Sequence, residues 1–286
     1  MQRNRGLLMV VGRPAGVIHQ IVNLCVGLPP KSRAWKLLSP SPTSIMGWFY
    51  RWFGSPWYAM LYKHRDEEDA AGLVASVIAK GGLRPGDKLL DLACGRGRHA
   101  AVFAKAGLDV TGVDISVQSI KDAKAQVPGV HFEVHDMREP FARDQFDAVV
   151  CLFTSLGYTG DRNDDRRAVS AAAQALKPGG LFVLDLMNGD VVTRDLVPEE
   201  VRHIEGMRFV VNRTVENGEV VKRILVEHPE GEHRFEERVH AWRLPEVEAL
   251  IEGAGLRLKE VTDSTCANTF HPEHSNRIVA WARKQA

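Results

Sequence analysis

No apolar run in this sequence approaches the roughly 18–20 residues that a membrane-spanning helix requires. The stretch GLLMVVG is short and lacks a small-residue cleavage site, and VIHQIVNLCVGL is interrupted by His19, Gln20 and Asn23. There is no C-x-x-C pair. Cys25, Cys94, Cys151 and Cys266 lie far apart, which excludes a disulfide framework or a cysteine zinc site and suits a reducing cytoplasm. No excess of charge marks the whole chain: 37 Lys and Arg against 36 Asp and Glu give +1, so there is no electrostatic footprint for a nucleic acid. Acidic residues are absent from positions 1–65, which carry nine Lys and Arg. This leader reads as a transit or signal segment, as a basic arm for an anionic partner, or as upstream sequence translated from an early start. Ordered-looking sequence begins at Met46 with MGWFYRWFGSPWYAMLY, so the favoured expectation is a start there, with 1–45 a disordered or misassigned leader. His271 and His274 form an H-x-x-H, but Pro272 argues against a helix presenting both, and no metal is expected.

What is present is one long alternation of strand and helix. A helix is expected over RDEEDAAGLVASVIAKGGL, where Ala70, Leu73, Val74, Val77 and Ile78 recur on one face and Gly81–Gly82 stop it. From Lys88 the chain reads strand, glycine turn, helix and strand. KLLDLA, LDVTGVD, VHFEVHD, FDAVVCLF and LFVLDL are five short apolar strands, with Ser116 capping the helix after the second and KPGG ending the helix before the fifth. Such alternation implies an α/β fold: a Rossmann-like, doubly wound and mostly parallel sheet covered on both faces. The pattern then changes. MRFVVNRTVE, EVVKRILVEH and EHRFEERVHAW are joined by Asn217–Gly218 and PEG, and read as three antiparallel strands. A helix over LPEVEALIEGAG and two strands, LRLKEVTDS and NRIVAWARK, complete the chain. Residues 46–286 are thus expected to form a single domain, with a ligand-binding core over 85–190 and an antiparallel insert over 200–243.

The stretch LLDLACGRGRHA holds Gly95, Gly97 and Ala100, spaced as in dinucleotide-binding loops. Its neighbours discriminate between ligands. Asp91 ends the first strand four residues before Gly95, where a carboxylate repels a pyrophosphate but attracts an ammonium or a sulfonium. Asp114 ends the second strand, where an acid accepts ribose hydroxyls and disfavours a 2′-phosphate. Asp136 ends the third, where an acid accepts from an adenine amino group. All three lie beyond the carboxyl ends of strands, where open α/β sheets bind ligands.

LLDLACGRGRHA, VTGVDIS, VHDM, FDAVVCLFTSLGY and LKPGG, in that order, resemble the successive motifs of class I S-adenosylmethionine-dependent methyltransferases. The resemblance covers roughly residues 85 to 190. It implies a seven-stranded sheet whose antiparallel last strand is NRIVAWARK, and S-adenosyl-L-methionine as cofactor. It also implies that Asp91, Ala93, Gly95 and Gly97 hold the methionine part, that Asp114 and Ile115 hold the ribose and flank the adenine, and that Asp136 and Met137 read the adenine edge. Leu152 would supply backbone near the methionine amine. Ala93 stands where the family often has Gly, and is small enough to fit. Cys94 and Cys151, at strand ends beside this loop, read as packing residues.

Methyl transfer from a sulfonium mainly requires positioning and exclusion of water, so no catalytic motif is compelled. Thr154, Ser155 and Tyr158 follow the fourth strand and are the candidates to face an acceptor; Thr154 and Ser155 serve equally well as turn caps. In similar enzymes an aromatic N-terminal segment closes over the cofactor, and SPWYAMLYKHR is expected to do so through Tyr58, Tyr62 or Arg65. The antiparallel insert is the expected substrate-side element, with His240 and Arg243 as polar candidates. Several small-molecule N-methyltransferases carry such an addition and some dimerise through it, which puts a homodimer among the expected assemblies. The expected reaction is methyl transfer to nitrogen or oxygen of a small molecule, with no nucleic-acid or membrane partner. A nicotinamide-dependent reductase and a non-catalytic cofactor-binding scaffold are the alternatives.

Overall fold

A computed structural model describes residues 47–63 and 67–285 of the 286-residue chain. The leader up to Met46, and Arg65, lie outside the described residues. In chain order the elements are α1 (Trp48–Phe53), α2 (Pro56–Leu61), α3 (Glu67–Gly81), β1 (Lys88–Leu92), α4 (Arg98–Lys105), β2 (Asp109–Asp114), α5 (Val117–Gln126), β3 (His131–Val134) and β4 (Phe146–Cys151). There follow α6 (Arg162–Ala175), β5 (Leu176–Met187), α7 (Gly189–Arg194), β6 (Glu199–Ile204), β7 (Met207–Glu216), β8 (Glu219–His228), β9 (Gly231–His240), α8 (Leu244–Gly253), β10 (Leu256–Thr262) and β11 (Arg277–Lys284).

Seven strands form one sheet in the order β10-β11-β5-β4-β1-β2-β3. Six run parallel, and β11 runs antiparallel to both β5 and β10. The central strands are buried on both faces, which is why β1 reads as a continuous apolar run and does not alternate. One face packs on α6 and α8 through Val169, Ala172, Val247 and Ile251. The other packs on α3, α4 and α5 through Val77, Phe103 and Ala123. The strand order reverses between β1 and β4, which opens a crevice at their carboxyl ends.

The insert is a separate sheet of four strands, β6-β7-β8-β9, where three were expected. The missed strand is β6. It joins β7 through Glu205–Gly206, both at positive φ (51° and 81°), the same two-residue geometry as Asn217–Gly218 (52° and 79°). Glu-Gly lacks the turn signal of Asn-Gly, and β6 alternates only between exposed and half-buried positions, so neither cue was readable. The Lys177–Gly180 turn, expected to precede the fifth strand, is instead looped out within it: Phe146 pairs with Leu176, and Ala148 pairs next with Leu181. The helices α1 and α2 cover one face of the insert, where Trp52 and Leu61 pack with Phe209, Ile224 and Val226. No helix among the described residues is long and apolar enough to cross a membrane.

Candidate active site

The sequence brings its acids to the crevice by ending strands there. Asp91 lies within β1 and is 1% exposed. Its Oδ2 is buried with no hydrogen-bond partner among the described residues. Burial, and then the neighbouring Asp114, push its carboxyl up to about 7, against the opposing pull of Arg98 and the Ala100 backbone. Asp114 ends β2. Its Oδ2 accepts from the Gly95 backbone N–H at 2.9 Å and its Oδ1 from that of Ser116 at 2.8 Å. Burial raises this carboxyl too, and the two N–H donors oppose the rise.

Asp136 lies two residues beyond the end of β3, not at it. Its carboxylate is clamped by Arg138, whose Nε donates to both oxygens at 2.9 and 3.0 Å; Nη1 of the same guanidinium donates to Asp164 at 2.6 Å. Burial pushes Asp136 up, but this clamp outweighs it and holds the carboxyl below its ordinary value.

The turn between β1 and α4 stays open because three successive odd positions are left-handed: Ala93 (φ 57°), Gly95 (φ 56°) and Gly97 (φ 83°). At Ala93 this conformation costs what a glycine would not, a feature of backbone rather than of side-chain size. A Cβ added at Gly95 would meet nothing within 4 Å, whereas one at Gly97 would lie 2.8 Å from Phe132 Cζ. Gly95 therefore faces open space, and Gly97 packs helix α4 against the sheet.

A cavity of about 1000 Å³, including its open mouth, begins at Ala93, Gly95 and Asp114 and runs past Ile115, Asp136 and Met137. Its far end is closed by Thr154, Ser155 and Tyr158, and by Phe53, Tyr58 and Tyr62 from the N-terminal helices. A second cavity adjoins it beyond Gly95, lined by Arg96, Arg98 and His99, and shares Tyr58, Tyr62 and Phe153 with the first. Most sequence-predicted residues thus converge on one space. Three line neither cavity: Asp91 is buried within β1, Gly97 is in packing against Phe132, and Leu152 is buried in the core with its carbonyl accepting from Ser155 Oγ at 3.0 Å. His240 and Arg243 are also elsewhere. His240 Nε2 lies 2.8 Å from Glu246 Oε1, and Arg243 donates to Asp190 at 2.8 Å. Burial raises the thiols of Cys94 and Cys151, with Asp91 nearby adding to the effect, so neither is poised as a nucleophile.

Sequence reasoning missed the device that shapes the far end. Phe153 and Thr154 are both left-handed (φ 63° and 59°), a strained state for a β-branched residue. Asp185, 1% exposed, accepts from the Phe153 N–H at 2.8 Å and from Arg277 Nε at 2.5 Å. Thr154 Oγ1 accepts from the Met187 N–H at 2.8 Å and from Arg277 Nη2 at 3.1 Å. The guanidiniums of Arg98 and Arg277 both lie over the Phe153 ring, 4.4 and 4.9 Å from its centroid. The Thr154 hydroxyl oxygen is therefore committed to holding the turn. Also missed was Glu237 of β9, which lines the main cavity. A readable signal existed: with Phe235 and Val239 it shares the inward face of a period-two strand, where a carboxylate is out of place.

A family model described as "Methyltransferase domain" matches residues 89–180. The dTDP-3-amino-3,4,6-trideoxy-alpha-D-glucopyranose N,N-dimethyltransferase of Streptomyces venezuelae is 30% identical over 188 residues, covering 60% of this chain and 76% of that protein. The chain belongs to the class I S-adenosylmethionine-dependent methyltransferases. The dTDP-4-amino-2,3,4,6-tetradeoxy-D-glucose N,N-dimethyltransferase of Saccharopolyspora spinosa is a second relative of this methyltransferase, 31% identical over 137 residues, or 46% of this chain and 55% of that one. Among solved structures, an S-adenosylmethionine-dependent methyltransferase from Clostridium acetobutylicum superposes with a TM-score of 0.69 at 19% identity, covering 80% of this chain and 96% of that one. The methyltransferase is thus an enzyme whose methyl donor is S-adenosylmethionine, and the reductase and scaffold alternatives fall away. The residues present fit that donor. An orphaned buried carboxylate oxygen at Asp91, an open glycine cradle at Gly95 and an acidic crevice match a ligand that carries an ammonium and a sulfonium.

Proposed function

We propose that this enzyme methylates a nitrogen of a small-molecule acceptor, with the donor held at the glycine turn and the acceptor entering from the antiparallel sheet. The observation that carries the site assignment is the Oδ2 of Asp91, buried without a partner among the described residues in the strand that leads into that turn. In this reading the charge of Asp91 favours the donor's ammonium, with the backbone at Ala93 and Gly95 around the methionine part. Asp114 accepts from the ribose hydroxyls through its remaining lone pairs, Ile115 flanks the adenine, and Asp136 and Met137 read its edge. The Arg138 clamp keeps Asp136 an acceptor. When bound, the donor supplies an electrophilic methyl group and leaves as a neutral thioether. The chain itself orients the acceptor and excludes water at the Phe153–Tyr158 turn. Ser155 and Tyr158 face that end of the cavity.

Nitrogen rather than oxygen is supported by the two amino-sugar N,N-dimethyltransferases among the relatives. A small acceptor, and not a nucleic acid, agrees with the near-zero net charge and with the ion pairing of the insert's Arg213, Arg223 and Arg238 to glutamates. A reducing cytoplasm suits the free, buried Cys94, Cys151 and Cys266. A homodimer formed through the insert belongs to the same proposal and is read by light scattering. The test of the site is parallel calorimetric titration with S-adenosylmethionine, S-adenosylhomocysteine, NADH and NADPH. The first two alone are expected to bind at micromolar levels and to fail with Asp91→Ala. Normal donor binding by that variant would remove the turn from the site.

A further inference from the structure

The far end of the cavity carries a feature that methyl transfer as such does not require. Phe53, Tyr58, Tyr62 and Tyr158 form a continuous aromatic wall, with centroids 5.1 Å apart for Phe53–Tyr58, 5.3 Å for Phe53–Tyr158 and 4.9 Å for Tyr58–Tyr62. Opposite the main sheet, the insert contributes one carboxylate to the same cavity, Glu237, which is only 8% exposed. Its two recorded partners share a single oxygen: Trp52 Nε1 donates to Oε2 at 3.0 Å, and Lys222 Nζ lies 3.6 Å from that same atom. Oε1 has no hydrogen-bond partner among the described residues. Unlike Asp91 Oδ2, this oxygen is not sealed off, and its lone pairs can take a donor that enters the cavity.

Lys222 already pairs with Oε2, and among the described residues no other cation is bonded to Oε1. Arg138 is committed to Asp136 and Asp164. Asp114 and Asp136 add negative charge. Lys222 is turned toward Tyr62, donating to its hydroxyl, with Nζ 5.2 Å from that ring's centroid. The wall therefore already carries one ammonium, in the geometry in which ring quadrupoles attract cations.

Resting on the proposal of a small-molecule nitrogen acceptor, we infer that Glu237 and the aromatic wall form a recognition site for an organic ammonium, so that the acceptor is an amine that arrives protonated. Glu237 Oε1 receives the ammonium and takes its proton before transfer, since only the neutral amine has the lone pair that attacks the methyl group, and the faces of the tyrosine and phenylalanine rings surround its substituents. An alcohol or phenol of the same shape gains neither the charge attraction nor the cation–π contacts. The site thus selects amines over their oxygen analogues, and it lies on the insert, outside the motifs that bind the donor.

Glu237 also ties α1 to β9 through Trp52, so a purely structural role must be separable. Glu237→Gln keeps a carbonyl oxygen for Trp52 and removes the charge. The full-length protein is titrated calorimetrically with benzylamine and with benzyl alcohol, each with and without saturating S-adenosylhomocysteine. The wild type is expected to bind the amine at least about tenfold more tightly than the alcohol, and Glu237→Gln to lose that preference. S-adenosylhomocysteine affinity is expected to stay unchanged in the variant, while the melting temperature falls because the largely buried Lys222 loses its carboxylate partner. A wild type with no preference for the amine, or a Glu237→Gln variant that keeps it, overturns the inference. Failure of S-adenosylhomocysteine to bind counts against the donor site alone, because the amine preference is also read without it.

Discussion

If the ionised form of Asp91 is what the donor binds, donor affinity must depend on pH over a window set by that residue. Burial, with Asp114 alongside, raises its carboxyl from 3.8 to about 7 in the unliganded protein. The folded state therefore holds a proton that the unfolded state has lost between those values. Relative to its acid limit, stability falls as pH rises through the window, by on the order of 4 kcal/mol from this residue at 1.36 kcal/mol per unit. A bound ammonium reverses the preference, so binding below pH 7 must release the proton. If only the carboxylate binds, S-adenosylhomocysteine affinity should improve by about fifteenfold from pH 5.5 to pH 7, a window below the titration of the ligand's own amino group. Calorimetry at pH 6 in two buffers of different ionisation enthalpy should record close to one proton released per ligand. Asp91→Asn should bind more weakly and with a flat profile. A flat profile in the wild type, with no proton released, would refute the role given to Asp91.

Ala93→Gly should relieve a left-handed alanine and stabilise the protein by about 1 kcal/mol, read as a melting temperature raised by roughly 2–4 °C. An unchanged or lower value would contradict the strain ascribed to the turn. Gly95→Ala and Gly97→Ala should separate binding from folding. The first meets open space and costs about 1 kcal/mol of stability from backbone alone but abolishes donor binding, while the second, 2.8 Å from Phe132, costs about 3 kcal/mol. Equal effects of the two on both readouts would show that the turn does not face the ligand. Arg277→Lys keeps the charge but loses the paired contacts to Asp185 and Thr154. It should lower kcat at least about tenfold while S-adenosylhomocysteine affinity changes less than threefold, because the strained Phe153–Thr154 turn is at the acceptor end. An unaltered kcat would make that cluster purely architectural.

The proposed donor half of the site could be read from the sequence because its residues are tied to strand ends in a fixed order, so that Asp91, Asp114 and Asp136 could be aligned by counting strands. The parallel sheet was legible for the same reason: five short apolar runs separated by amphipathic helices admit few other arrangements. The acceptor half was harder to read, since it is assembled from distant segments. Glu237 reaches the cavity from 185 residues beyond its partner Trp52, and nothing local in EHRFEERVHAW marks it except its place on an apolar face. Asp185 and Arg277, 92 residues apart, meet only because β11 enters the sheet beside β5. Strain at Ala93, Phe153 and Thr154 is a backbone property, which residue type does not announce. Strand β6 was missed because its turn, Glu205–Gly206, adopts a left-handed geometry without the residue that usually signals it.

The most direct test of the site is a crystal structure of the protein with S-adenosylhomocysteine bound. The ligand should lie in the cavity with its amino group on the Asp91 side of the Ala93–Gly97 turn, its ribose hydroxyls on Asp114 and its adenine beside Asp136 and Met137. A ligand bound elsewhere, or bound here with the ribose away from Asp114, would contradict the assignment.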